Sequence, residues 1–401
     1  MLFYVHIPFC RRRCLYCAFH SVALGSKAVP DGFIETLVRE IAFWGEHKDL
    51  FAGQVSTAAS DVAGDIANDT VSSIFFGGGT PSLLAPSDID LILKTIARYF
   101  KVAKDAEISM EANPDSLSSR DMVRDLALCG INRISLGVQS MDDTELAMLG
   151  RLHNAAQVYA ACEAVYAAGI PSLNLDLMWG LPGQTVQGWR STLQKALSLE
   201  PDHLSAYSLT LEEGTPISNM VAQNELVMPD EDTQENIYLE GASLLEQAGL
   251  MHYEISNYAR PGHECRHNLG YWQQQPYLGV GPSAVSTAGN RRFTSPPDHD
   301  VWEKAVLEGK LPYYCETLSK REQLQELIML RLRTAEGLPF SAYAKACDRS
   351  FGDDFGSLLH ALEDAGYTKS DAEHVALTGS GMLVSNDIMA RFFAILDELS
   401  L

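Results

Sequence analysis

Six short runs of apolar, β-branched and aromatic residues set the main limit on how this chain folds. Each ends in a polar or glycine-rich loop and leads into a helical pattern. The runs cover 2–7, 71–76, 107–110, 133–136, 172–178 and 203–208; the helical patterns cover 32–46, 86–100, 118–129, 155–168, 186–199 and 231–248. Strands that alternate with helices imply a parallel sheet with right-handed crossovers, because a parallel neighbour needs a long connection across one face. Six units are two short of a closed eightfold barrel. The expectation is therefore an α/β fold built on a partial, open (β/α)6 barrel.

Two further regions stand apart. The stretch 52–69 is rich in Ala, Ser, Asp and Gly without periodicity, and reads as a surface insertion between the first helix and the second strand. The pattern changes near Pro296 and Pro297 and becomes mainly helical from Leu318. Helices are expected at 319–333, 339–347, 352–364 and 385–399, with a hairpin of 374–377 and 382–384 that turns at Gly379-Ser-Gly381. Together these make a mainly helical, winged-helix-like C-terminal domain. The expected organisation is a barrel at 1–250, a barrel-completing and connecting segment at 251–317, and the C-terminal domain at 318–401.

Charge narrows the partners. With 52 acidic against 30 basic residues, the net charge of −22 repels phosphate backbones, so nucleic acid is not an expected partner. No basic, small-residue-cleaved leader opens the sequence, and no run of about 18 apolar residues spans a bilayer. Transient contact with membrane proteins stays open. Eight cysteines without a paired pattern fit a reducing cytoplasm; Cys129, Cys162, Cys315 and Cys347 read as small packed residues. The one dense basic cluster, Arg11 to Arg13, is either a solvated loop or a source of positive charge for an anionic cluster or an acidic electron donor.

That basic cluster lies inside the sequence His6-Ile-Pro-Phe-Cys10-Arg-Arg-Arg-Cys14-Leu-Tyr-Cys17, just past the first strand. Thiolates spaced C-x3-C-x2-C can each hold one iron of a [4Fe–4S] cubane, which leaves the fourth iron without a protein ligand. In (β/α) barrels functional groups gather at the C-terminal ends of strands, and those positions are chemically pointed here. The second strand ends in Gly77-Gly78-Gly79-Thr80-Pro81, the third at Glu111 in Glu-Ala-Asn-Pro114, the fourth at Gly137-Val-Gln139, followed by Arg151; the fifth carries Asp176. The glycines read either as a tight turn or as a place where bare amides meet a ligand. No Lys-Ser/Thr follows them, so this is not a nucleotide P-loop.

These motifs, together with Tyr4-Val-His-Ile-Pro-Phe-Cys10 and Tyr253-Glu-Ile-Ser-Asn257, resemble the radical S-adenosylmethionine (SAM) family. Within it, the match is to the subfamily of oxygen-independent coproporphyrinogen oxidases and the haem chaperones related to them. The resemblance spans nearly the whole chain. It implies that Cys10, Cys14 and Cys17 ligate the cluster and that Tyr4 contacts SAM there. Gly78, Gly79 and Thr80 would receive its methionine end, and Glu111, Gln139, Arg151 and Asp176 its remaining polar groups. The chemistry implied is one-electron reduction of SAM to methionine and a 5′-deoxyadenosyl radical, fed by a low-potential donor such as a flavodoxin or ferredoxin.

Two departures separate the chain from the oxidases. Their motif has a fourth cysteine two residues past the third, where this chain has Phe19, and their N-terminal arm is absent before Tyr4. Both fit the haem-chaperone branch, as does His267-Asn-Leu-Gly-Tyr271-Trp272, an H-N-x-x-Y-W pattern associated with it. His267 could be an axial haem ligand with Tyr271 and Trp272 against the porphyrin, or a packed, hydrogen-bonded histidine. The function expected from the resemblance is transfer of haem to acceptor apoproteins such as respiratory enzymes. Oxygen-independent coproporphyrinogen oxidation is the enzymatic alternative. A zinc site of three cysteines with His6 or His20 is a third, structural one.

Overall fold

The computed structural model describes residues 1–48, 70–117, 119–310 and 314–399. The insertion expected at 52–69 and Ser118, the start of the third expected helix, lie outside the described residues. The six expected units are present: β1 Leu2–Ile7 and α1 Phe33–Glu46; β2 Thr70–Gly78 and α2 Pro86–Tyr99; β3 Lys101–Ala112 and α3 Arg120–Cys129; β4 Arg133–Gln139 and α4 Ala155–Ala167; β5 Ser172–Trp179 and α5 Val186–Leu197; β6 His203–Ser208 and α6 Glu231–Gln247. Local chemistry sets their bounds. Ser119 caps α3 by accepting from the Met122 amide, and Gly130 ends that helix at φ 109°, a left-handed conformation that glycine adopts without strain. Asn154 and Gln157 form a reciprocal capping box on α4.

Strands β1 to β6 lie side by side in sequence order and parallel. The residues from 251 to 317 extend the sheet at both edges. β7 Met251–Glu254 and β8 Asn257–Ala259 add antiparallel beyond β6. After the short helix α7 Arg266–Trp272, β9 Tyr277–Val280 pairs parallel to β1. β10 Val285–Ala288, β11 Arg291–Thr294 and, after helix α8 His299–Leu307, β12 Tyr314–Thr317 continue antiparallel from it. Among the described residues the order is β12-β11-β10-β9-β1-β2-β3-β4-β5-β6-β8-β7, an open sheet with two free edges.

The two faces of the sheet differ in kind. Outward residues such as Phe3, Val5, Ile74, Ile134, Leu136, Leu173 and Leu175 are buried against the helices in one core with Trp189 and Trp302. Inward positions carry the buried Ser73, Ser109, Asn174 and Ser205 and the half-buried Ser135. Successive side chains of a strand point to opposite faces, so the sequence Leu173-Asn-Leu-Asp-Leu177 supplies leucines to the core and Asn174 and Asp176 to the interior. The inside of the half-barrel is thus lined with hydroxyls, amides and carboxylates.

The C-terminal domain has its own core. Helices α9 Lys320–Leu332, α10 Phe340–Cys347, α11 Phe351–Asp364 and α12 Ser385–Glu398 pack around Phe351, Phe355 and Phe392 beside a sheet of β13 Leu338–Pro339, β14 Thr368–Ser370 and β15 His374–Leu377. The hairpin differs from expectation: β15 pairs with β14, and Gly379–Leu383 is a short helix. Asp371 makes the turn by accepting from the amides of Glu373 and His374, and Thr378 caps the helix by accepting from Gly381. An aspartate at the tip turned the chain one strand earlier than the glycines suggested. Phe392 is wholly buried against Phe351 and Phe355. Phe392→Ala should therefore cost about 3–5 kcal/mol in urea unfolding of this domain; a loss below about 1 kcal/mol would contradict this account of the core.

Candidate functional site

The cysteine loop lies over the C-terminal ends of β1 to β5. Cys10, Cys14 and Cys17 are partly exposed, and all eight cysteines are free thiols. The Arg11, Arg12 and Arg13 side chains hold this loop to its surroundings. Arg11 donates to the Lys27 carbonyl (2.9 Å), Arg12 to the Gly150 and Arg151 carbonyls (2.5 and 3.0 Å), and Arg13 to that of Cys17 (3.1 Å). Phe19, at the position of the oxidases' fourth cysteine, is 71% exposed.

Arg151 joins the loop to the strand ends. Its guanidinium donates to Cys14 Sγ (3.2 Å), Asn113 Oδ1 (2.5 Å) and the Gly137 carbonyl (2.6 Å). Its Nε is buried without a partner among the described residues. Thr80 donates to Cys10 Sγ (3.5 Å) and accepts from Asn113 Nδ2 (3.0 Å). Gly137 leaves room for this junction, since a Cβ there would stand 3.0 Å from Asn113 Oδ1 and 3.3 Å from Arg151 Nη2. Two residues on, Gln139 takes φ 68°, unusual for a side chain that is not glycine, at an irregularity where β4 meets β5.

The glycine-rich turn works differently from the bare-amide reading. The Gly78 amide donates to Glu111 Oε2 (3.0 Å), Gly79 to the Ile7 carbonyl (2.8 Å) and Thr80 to the Phe9 carbonyl (2.8 Å). These amides are already used, so none is a donor for a ligand. The glycines instead let backbones approach: a Cβ on Gly79 would meet the Phe9 oxygen at 2.6 Å, and Gly78 sits at φ 111° beside the His6 ring.

Glu111 and Asp176 face the interior from β3 and β5. Burial, then repulsion from Asp176, pushes the Glu111 carboxyl up to about 7. Burial also raises Asp176, opposed by bonds from Ser205, Ser135 and Asn174. Tyr207 on β6 is 41% accessible, yet desolvation and the charges of Asp176, Glu254 and Glu111 hold its phenol well above its usual range. The interior thus brings two carboxyls and a phenol together, groups suited to a cationic ligand, whose charge would favour the ionised carboxylates.

The haem-motif residues lie alongside. His267, only 1% exposed, pairs through Nδ1 with Ser73 Oγ (2.8 Å) and through Nε2 with the Tyr271 hydroxyl (2.9 Å). In this arrangement neither ring nitrogen is open to iron, so the packed-histidine reading describes this conformation. Burial lowers His267 to about 3 and keeps the ring neutral. Tyr4 stands between the two sets: its ring centroid is 6.4 Å from that of His267, its hydroxyl is 3.1 Å from His6 Nδ1, and burial, then the Glu111 charge, raises its phenol. Trp272 is half-buried.

The donor set fits a cluster with an exchangeable ligand. A cubane asks for thiolates spread over three irons, beside a cation that favours thiolate charge, and Arg151 supplies that cation at Cys14. The orphaned Arg151 Nε suits a carboxylate; Glu111 and Asp176 suit an ammonium or sulfonium. SAM carries all three groups.

Comparisons with known proteins give the family. The model for the Radical SAM superfamily matches residues 4–196, and that for the HemN C-terminal domain matches 318–384. The heme chaperone HemW of Synechocystis sp. is 35% identical, over 98% of this chain and 97% of its own. The chain belongs to the HemW family of radical SAM proteins. Within the wider superfamily, the mitochondrial radical S-adenosyl methionine domain-containing protein 1 of Mus musculus is 38% identical over 84% of this chain and 73% of its own. Among solved structures, coproporphyrinogen III oxidase (HemN) from Escherichia coli, a radical SAM enzyme, superposes with a TM-score of 0.79 at 25% identity, over 99% of this chain and 90% of that one. Family membership implies a [4Fe–4S] cluster and SAM as cofactors, with Cys10, Cys14 and Cys17 as the triad on offer.

Several residues of the site escaped the sequence reading. Asn113 stood inside a quoted motif without a role, and Ser135, Asn174, His203 and Tyr207 passed as strand positions. Their signal was polar alternation within apolar strands.

The raised carboxyls make stability depend on pH. Glu111 and Glu254 are both held near 7 by burial, so between the usual carboxylate range and about 7 the folded protein keeps protons that the unfolded chain has released. Stability is complete below that window and falls as pH rises through it. Glu111→Gln removes one such group, so the drop in apoprotein Tm from pH 5 to pH 8 should be smaller than in wild type; an equal drop would count against a buried, ligand-facing Glu111.

Proposed function

We propose that this protein is a cytoplasmic haem chaperone that binds haem and passes it to acceptor apoproteins such as respiratory enzymes, and whose barrel carries a [4Fe–4S] cluster with exchangeable SAM. Full-length similarity to HemW relatives carries the reading. Eight free thiols suit a reducing compartment, and no helix of the described residues is long and apolar enough to cross a membrane.

Cys10, Cys14 and Cys17 hold the cluster, with Arg151 and Thr80 bonded to two of the sulfurs. Gly78, Gly79 and Thr80 shape a wall for the methionine end of SAM, which their spent amides leave to shape and carbonyl groups. Arg151 Nε meets its carboxylate; Glu111 and Asp176 face its positive groups; Tyr4 and Gln139 close the sides. A reduced cluster supplies one-electron chemistry at SAM, drawing on a donor of the flavodoxin or ferredoxin kind. In the chaperone, occupancy of this site tunes haem release.

Haem coordination by His267 through Nε2 requires exchange of the Tyr271 hydroxyl for iron. The Ser73 bond at Nδ1 is the outer-shell contact that fixes such a ligand's tautomer. Trp272 and Tyr271 then offer flat apolar surface. Soret-band titration should show weaker haem binding in His267→Ala and faster binding in Tyr271→Phe, where Nε2 has no hydroxyl to release. Binding unchanged in both would remove His267 from the haem site.

The likeness to coproporphyrinogen III oxidase sustains the enzymatic alternative, but two features oppose it. Phe19 leaves no fourth cysteine, and the guanidinium at the strand ends, Arg151, is committed to Asn113, Gly137 and Cys14. An anaerobic assay with SAM, reductant and coproporphyrinogen should yield no sustained protoporphyrinogen; robust turnover would overturn the chaperone reading.

A further inference from the structure

Below Asp176 a chain of buried polar groups runs down the inside of the half-barrel. Asp176 Oδ1 accepts from Asn174 Nδ2 (2.7 Å), and Asp176 Oδ2 accepts from Ser135 Oγ (2.9 Å). Asn174 Oδ1 lies 2.6 Å from His203 Nδ1, and His203 Nε2 lies 2.7 Å from the Tyr253 hydroxyl. The Tyr253 oxygen accepts from the amide of Cys265, the residue before α7 (3.2 Å).

With Asp176 ionised, the network assigns the donor at each link. Were Asn174 flipped, its carbonyl oxygen would face a carboxylate oxygen at 2.7 Å, so its Nδ2 must point to Asp176. Oδ1 then accepts, so His203 Nδ1 carries the hydrogen. Nε2 is left as a bare lone pair that takes the Tyr253 hydroxyl hydrogen, and that hydroxyl is free to accept from Cys265. Each link donates towards Asp176, and the carboxylate is the sink.

The surroundings keep His203 neutral. Burial, then the charges of Arg133 and His263, push its pKa well below the usual range. Arg133 is itself buried, bonded to Ser172 Oγ and the His263 carbonyl (both 2.9 Å), while Glu107 accepts from the His267 and Arg266 amides (both 3.1 Å). The backbone of Tyr253 is anchored from the C-terminal domain, because Ala335 donates to its carbonyl (3.0 Å) and Ile255 donates to that of Arg333 (2.8 Å).

We propose that His203 and Tyr253 are positioning residues that set the tautomer and amide orientation beneath Asp176, and so hold its carboxylate in the geometry that binds SAM. This rests on the reading of Asp176 as a SAM contact. Neither residue touches the ligand site; both act through Asn174. Outer-shell bonds of this kind change ligand affinity by about 10- to 100-fold when lost.

The test uses the anaerobically reconstituted full chain with two readouts. SAM affinity is measured by equilibrium binding for wild type, Asp176→Asn, His203→Asn and His203→Leu. The His203 tautomer is read from ring nitrogen–proton correlations by NMR in wild type and Tyr253→Phe. The expected results are an Nδ1–H ring in wild type that is kept in Tyr253→Phe, because Asn174 Oδ1 still accepts from it, and about tenfold weaker SAM binding in His203→Leu. His203→Asn, whose amide places a donor where Nδ1 stood, should rescue most of that loss. Should His203→Leu misfold, the tautomer readout still decides. An Nε2–H ring in wild type overturns the chain. So does a folded His203→Leu that binds SAM normally while Asp176→Asn does not. If Asp176→Asn binds normally too, the SAM reading of Asp176 is what has failed.

Discussion

The site depends on one guanidinium. Among the described residues, Arg151 is the only side chain bonded at once to the cysteine loop, to the end of β3 through Asn113 and to the end of β4 through the Gly137 carbonyl. A planar fork of fixed donors suits that task, because it reaches three acceptors with little loss of freedom for each bond. Lysine, a point charge on a flexible stem, would hold one of them at a time. The loop from Cys10 to Cys17 is also held by Thr80 at Cys10, by the Arg11, Arg12 and Arg13 side chains and by backbone bonds of Cys10, Arg11 and Leu15, but none of these joins it to both β3 and β4.

A closed eightfold barrel fills its interior with branched apolar side chains. This half-barrel lines its own with serines, an asparagine, a histidine and carboxylates, and leaves room among them. The price is desolvation, visible in the raised carboxyls of Glu111, Asp176 and Glu254. Hydrogen bonding offsets it where it can, as at Asp176, and Glu111 is left with the Gly78 amide and a carboxylate neighbour. A cationic ligand relieves that repulsion, so the electrostatic cost at Glu111 and Asp176 and a preference for such a ligand have one origin.

Much of this was legible in the sequence because it follows period and spacing. The six strand–helix units, the strand-end positions and the cysteine triad were read directly. The strands at 277–317 were not, because four-residue pieces such as Arg291–Thr294 carry mixed composition and owe their form to pairing with neighbours. The state of His267 was invisible for a different reason: its partner Ser73 is 194 residues away in sequence. The choice between a tight turn and bare amides at the glycines stayed open because the acceptors, the Ile7 and Phe9 carbonyls and the Glu111 carboxylate, lie on other strands and the loop after β1.

The central claim is that the three cysteines hold a cluster whose open iron takes SAM against Arg151, Glu111 and Asp176. Electron paramagnetic resonance of the anaerobically reconstituted, reduced protein, recorded with and without SAM, tests it most directly. The account predicts a [4Fe–4S]⁺ signal whose g-values shift when SAM is added, with the shift lost in Arg151→Lys. A signal that SAM leaves unchanged, or none once iron and sulfide have been supplied, would contradict it.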